Sequence, residues 1–187
     1  MTLRAKLGRI AAALMLAMTA LTVRSQGQVL NSGAQTITLT AVLTDSITVA
    51  LSGNAVNFVL TPGNPNNPGN VGITATTSWT LKPSVGSLNL YAYFSNSASA
   101  LTDGAGDDIP SADFQISDNA GPFNALTNTV PFGGANAGLQ VSSTKIIGTN
   151  KSGSRTDSMN FNINLSTLPT LPANTYTGTL TIQAQAL

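Results

Sequence analysis

Between positions 37 and 51 the apolar residues keep one parity: Ile37, Leu39, Ala41 and Leu43, then Ile47, Val49 and Leu51. Threonines and Ser46 fill most of the alternate places. Successive side chains of a strand point to opposite faces, so a period of two predicts a half-buried strand. It is interrupted near Thr44-Asp45, where the chain can bend between sheets. Val56, Phe58 and Leu60 predict a second, short strand. The stretch 61–70 (TPGNPNNPGN) cannot donate a regular ladder, which predicts an exposed loop. Val71, Ile73, Ala75, Thr77, Trp79 and Leu81 share the next face, and Lys82-Pro83 closes that strand. Leu88, Leu90, Ala92 and Phe94 then point one way and Tyr91 and Tyr93 the other, the pattern of a central strand covered on both faces. A loop over 95–110 leads to Phe114 and Ile116, and a glycine-rich irregular passage occupies 119–138. Leu139, Val141, Ile146 and Ile147 carry a weaker strand pattern, and Met159, Phe161, Ile163 and Leu165 a strong one. Tyr176, Leu180, Ile182, Ala184 and Ala186 close the chain, alternating with threonines and glutamines. Beyond position 27 no stretch of about ten residues has helical spacing. The expected fold is all-β, a two-sheet antiparallel sandwich with an immunoglobulin-like arrangement of about seven to nine strands.

The first 27 residues follow a different rule. Arg4, Lys6 and Arg9 precede an apolar run over 10–23, and Ser25-Gln26-Gly27 follows, with small residues placed for cleavage before Gln28. This is the layout of a secretory signal peptide. The run is shorter than the roughly 18 to 20 apolar residues that span a bilayer, so membrane contact is expected only during export. The expected organisation is a signal over 1–27 and one β-sandwich domain over 28–187, secreted or held at the cell surface.

Removing the signal changes the charge balance. Of the eight basic residues, Arg4, Lys6, Arg9 and Arg24 precede position 28, leaving Lys82, Lys145, Lys151 and Arg155 against seven aspartates and no glutamate. The sign of the net charge therefore turns from positive to negative. A sparsely charged, mildly acidic surface lacks the clustered cations that phosphates require, which excludes nucleic acid as a partner. There is no cysteine, so an exported fold must hold by packing and hydrogen bonds without disulfides.

Histidine is absent as well, which removes Ser-His-Asp and Cys-His nucleophiles and nearly all zinc or copper sites. The expectation is a non-enzymatic protein with no cofactor. One acidic cluster stands out: Asp103, Asp107, Asp108 and Asp113 in the glycine-bearing sequence DGAGDDIPSAD. Carboxylates on such a loop are candidate calcium ligands, and solvated turn formation explains them equally. Tyr91 and Tyr93, side by side on one strand face, are candidates for a sugar-stacking ligand face; covering on both sides is the plainer alternative. Trp79 shares the parity of core residues. Leu171-Pro172-Ala173-Asn174-Thr175 comes near a wall-sorting signal, but Asn174 stands where threonine is required.

The opening TITLTAVL, the following SITVALSGNAVNF and the closing NTYTGTLTIQAQAL resemble secreted pilin-like domains of the spore coat protein U and archaic chaperone-usher fimbrial group. Tyr176-Thr177-Gly178-Thr179-Leu180-Thr181-Ile182 follows that group's closing strand. Val59 replaces the glycine after Phe58, and the group's early cysteine is missing. The resemblance implies a structural subunit that assembles by strand addition with copies of itself or other surface subunits. Ile37, Leu39, Ala41 and Leu43 would then be donated to a neighbour's groove; the alternative is that they form the domain's own first strand. Trp79-Thr80-Leu81 after SGNAVNFVLTPG is also similar to WxL cell-wall-binding domains, which implies a cell-wall glycan as partner. The closing strand has Leu180-Thr181-Ile182 in place of a second W-x-L.

Overall fold

The computed structural model describes residues 34–187, and the signal peptide expected over 1–27 lies outside them. The fold over Val42–Leu187 is built from β1 (Ser46–Leu51), β2 (Asn67–Pro68), β3 (Ile73–Thr80), β4 (Ser87–Phe94), β5 (Leu101–Thr102), β6 (Asp108–Ile109), β7 (Phe114–Asp118), β8 (Asn124–Ala125), β9 (Ala137–Lys145), β10 (Ser152–Ile163) and β11 (Thr181–Ala186). Seven of these strands have five residues or more, and the other four have two. The larger sheet runs β1-β3-β10-β7-β8, with β2 beside β10; the smaller runs β11-β4-β9, and β5 pairs β6. Every ladder is antiparallel, and the two main sheets form an all-β sandwich.

The parity of the sequence places the core between these sheets. On β3, Ile73, Ala75, Thr77 and Trp79 are buried, whereas Thr74, Thr76, Ser78 and Thr80 are half-exposed. β4 lies in the middle of its sheet and buries nearly every residue, as its two-faced pattern requires. The main core brings Ile73 and Met159 of the larger sheet against Leu90 and Phe94 of the smaller. Phe114 meets the rings of Phe94 and Phe58 edge to face, at 5.1 and 5.8 Å. A second cluster gathers Trp79, Leu81, Leu88 and Ile146. There the Trp79 indole donates to the Asn150 carbonyl at 2.9 Å, which satisfies its one polar atom.

Three sequence expectations are corrected. The strand pattern over 37–51 forms a ladder only over Ser46–Leu51, because Ser46 already lies opposite Thr80, the last residue of β3. Among the described residues no strand continues opposite the positions upstream of that point. Residues 34–41, described by themselves, form no strand, and Ile37 and Leu39 are 85% and 89% exposed; Leu43 is 83% exposed. Val56, Phe58 and Leu60 are extended, but only Phe58 bridges, to Gly69. A Cβ at Gly69 would come within 2.6 Å of Val56 Cγ1, so a larger residue there would have to displace the Val56 side chain.

The third correction concerns the proline-rich loop, which is not wholly exposed. Asn67 is buried, its side-chain amide donating to the carbonyls of Asn64 and Ile163 while its oxygen accepts from Thr61 N–H. A buried amide that meets three partners holds the loop onto β10, and a proline beside it is tolerated at the sheet edge.

Trp79→Ala should destabilise the domain by about 3–5 kcal/mol, because it empties the second cluster and leaves the Asn150 carbonyl without its donor. Urea denaturation of the two proteins measures this, and a loss below about 1 kcal/mol would contradict the packing described.

Candidate functional site

β1 and β11, one edge strand of each sheet, approach each other at one end of the sandwich. There Ile47 of β1 and Ala184 and Ala186 of β11 pack onto Trp79, Leu81 and Leu88. At the other end the sheets are held apart, and a groove of about 780 Å³ opens between them. One wall is the segment 53–58 with Leu60; the opposite wall is the segment 171–180 and Ile182. The floor is the core itself, with Phe114, Met159 and Phe161 reaching the groove. No lining residue is charged.

Local chemistry shapes both walls. Asn57 N–H donates to the Asn70 side chain at 2.8 Å and Asn70 N–H returns to the Asn57 carbonyl at 2.9 Å, which fixes this wall without a ladder. On the facing wall Thr177 exchanges backbone hydrogen bonds with Thr102 of β5, and the Tyr176 hydroxyl donates to the Pro172 carbonyl. Gly178 must be glycine, since a Cβ there would collide with the Ala100 carbonyl. The strand expected from Tyr176 onward begins as a ladder only at Thr181, opposite Tyr93 near the end of β4.

The acidic loop sits at the rim. Asp103 Oδ1 accepts the N–H groups of Ala105, Gly106 and Asp107 at 2.8, 3.2 and 3.1 Å, and Oδ2 accepts from the Asn174 amide at 3.0 Å. These bonds, that of Ala105 foremost, hold the Asp103 carboxyl below its ordinary range. The same acids, after the desolvation of the ring, push the Tyr176 phenol upward. Asp108 lies in β6, and Asp113 is buried elsewhere, accepting from Thr167 at 2.7 Å. The four candidate calcium ligands, Asp103, Asp107, Asp108 and Asp113, are therefore not brought together. Among the described residues no three acidic side chains converge on one point.

Tyr91 and Tyr93 do share a face, and the chain's own loop covers it. Phe132 stacks on Tyr93 at 3.8 Å with 18° between the rings and meets Tyr91 edge-on at 5.4 Å. Tyr91 is buried, and the Tyr93 hydroxyl donates to Gln183 at 3.1 Å. Trp79 and Leu81 of the W-x-L are both core residues.

Sequence reasoning missed one polar cluster that joins the sheets. Asp157 on β10 is completely buried; it accepts from Arg155 Nε at 2.7 Å, Ser142 Oγ of β9 at 3.0 Å and Asn119 Nδ2 at 3.3 Å. Asp118 of β7 lies beside it, with Arg155 Nη2 at 3.8 Å from its Oδ2 and its Oδ1 buried without a partner. The available signal was parity, since Arg155 and Asp157 share the inward face of Met159, Phe161 and Ile163.

No family model and no curated protein matches the chain. Among the described residues no helix is long and apolar enough to cross a membrane.

Burial, and then the neighbouring Asp157 charge, raise the Asp118 carboxyl above its ordinary range, while Arg155 opposes the shift. A carboxyl raised by folding binds its proton more tightly in the native state. Its contribution to stability is therefore greatest at acid pH and falls as pH rises from 3.8 through the raised native value. Asp118→Asn removes this contribution. Urea midpoints between about pH 3.5 and pH 7 should show the variant gaining on the parent protein as pH rises; a parallel pair of curves would show that Asp118 is not the titrating group.

Proposed function

We propose that this chain is an exported, non-enzymatic structural or adhesive protein of the cell surface, whose copies assemble by strand addition. The alternating segment 37–43 of one copy enters the groove of the next. The observation that carries this reading is the uncharged groove whose apolar wall residues Val56, Leu60, Leu180 and Ile182 are only half-buried, in a chain whose Ile37, Leu39 and Leu43 are themselves exposed. Each exposed set is unfavourable in water, and each of the branched side chains would contribute about 1.5–3 kcal/mol on full burial. Period-two spacing brings Ile37, Leu39, Ala41 and Leu43 to one side of an extended segment, as an apolar trough requires. The absence of histidine and cysteine agrees with a role that needs no nucleophile or metal. For glycan binding, the Tyr91 and Tyr93 rings lie under Phe132 and offer no open platform.

The test compares the full-length chain with a variant carrying Ile37→Asp and Leu39→Asp. Size-exclusion chromatography and electron microscopy should show ordered assemblies for the first and folded monomers for the second, with the same thermal midpoint. A parent chain that stays monomeric at high concentration, or a double variant that assembles equally well, would refute strand addition.

A further inference from the structure

The segment 171–180 forms a groove wall without a ladder of its own, since β11 begins only at Thr181. The hairpin of β5 and β6 holds it instead. Thr177 exchanges both backbone bonds with Thr102 at 2.9 Å each, and Gly178 lies so close to the Ala100 carbonyl that a side chain would collide with it. Asp103 adds a third tie. Its Oδ1 accepts the N–H groups of Ala105, Gly106 and Asp107, which fixes the carboxylate to the hairpin's own turn, while its Oδ2 accepts from the Asn174 amide of the wall at 3.0 Å. The hairpin is anchored in turn, because Leu101 and Ile109 are buried in the main core. Leu101 reaches the groove, but Thr102, Asp103 and the turn after them do not line it, so this tie acts on the wall from outside the groove.

Apolar walls that face each other across water are drawn together, because closing them removes apolar surface from solvent. Here Val56 and Leu60 stand on one side of the groove and Tyr176 and Leu180 on the other, so a groove that stays open needs a wall held from outside. We infer that Asp103 is a positioning residue for the groove: the β5–β6 hairpin acts as a strut, and the bond from Asn174 to Asp103 holds the wall 171–180 back, open to an extended segment. The inference rests on the strand-addition reading above for the groove's occupant. The Tyr176 hydroxyl bonds within the wall, to the Pro172 carbonyl, so 172–176 moves as one piece. With the Asp103 tie broken, that piece swings inward and the same subunit takes an occluded form. The bonds that hold the Asp103 carboxyl below its ordinary range keep it ionised at neutral pH, which makes the tie a charge-assisted one. The opposite wall differs, since Asn57 and Asn70 hold it by neutral groups alone.

The test uses the full-length chain with Leu39→Asp, which disables its own segment as an occupant. Spin labels at Ala55→Cys and Ala173→Cys place one probe on each wall of a chain that has no other cysteine. Asp103→Asn keeps an oxygen for the turn N–H groups and sets an amide N–H2 against that of Asn174, so it breaks the tie to the wall alone. The label-to-label distance should shorten by electron paramagnetic resonance, and the synthetic peptide QTITLTAVL should bind about tenfold more weakly, as follows when the open form falls to about a tenth of the molecules. Combining Asp103→Asn with Asn174→Asp exchanges donor and acceptor across the tie and should restore both readings, which a merely destabilised hairpin would not do. Distance and affinity that Asp103→Asn leaves unchanged, or that the exchange does not restore, overturn this inference and leave strand addition standing. Distances that respond as expected, with a peptide that binds neither the parent nor any variant, support the strut and overturn strand addition.

Discussion

The two sheets share an edge that is shut at one end and open at the other, and most of the molecule's character follows from that constraint. Where Ile47 and Ala186 meet over Trp79, side chains from both sheets cover the core. Where the segments 53–58 and 171–180 stand apart, Phe114, Met159 and Phe161 reach a groove instead of a facing strand. The half-buried Val56 and Leu60 of one wall and Leu180 and Ile182 of the other flank this opening. An apolar groove beside a sheet edge is a liability that proteins ordinarily cover, and the proposed strand addition would cover this one.

The rest of the sandwich is held without cysteine by polar groups placed inside it. Asp157 joins β10 to β9 through Ser142 and carries Arg155 with it, while Asn67 pins the proline-rich loop to the end of β10. A buried polar group left unpaired costs more than a typical hydrogen bond contributes, so each must meet its partners for the chain to pack this way. The Asp157 cluster contributes no residue to the groove, whereas Asn67 holds Ile163 and Thr61 beside one wall; the walls are otherwise held by single bridges and turn hydrogen bonds.

Much of the fold was legible from parity. The buried face of β3, the two-sided burial of β4 and the inward run Met159, Phe161 and Ile163 follow from alternation, because a pleated strand presents every second side chain to the core. The same rule placed Trp79 in the core. It was silent on Arg155 and Asp157, whose inward parity was visible but whose partners Ser142 and Asp118 come from other strands. It could not show that Phe132, some forty residues on in the chain, lies over Tyr91 and Tyr93, nor that Asp113 turns away from Asp103.

The alternation over 37–51 and 176–186 records where this chain is able to form strands, along with its all-β composition and its lack of histidine and cysteine. It cannot record where a strand finds a neighbour. β3 ends opposite Ser46 and the ladder of β4 reaches only to Thr181, so both patterns outrun their ladders, and only the packed sandwich decides which residues remain without one. The physical reason is that side-chain periodicity is a property of the local chain, whereas a backbone hydrogen bond in a sheet needs a second strand brought from far away in sequence.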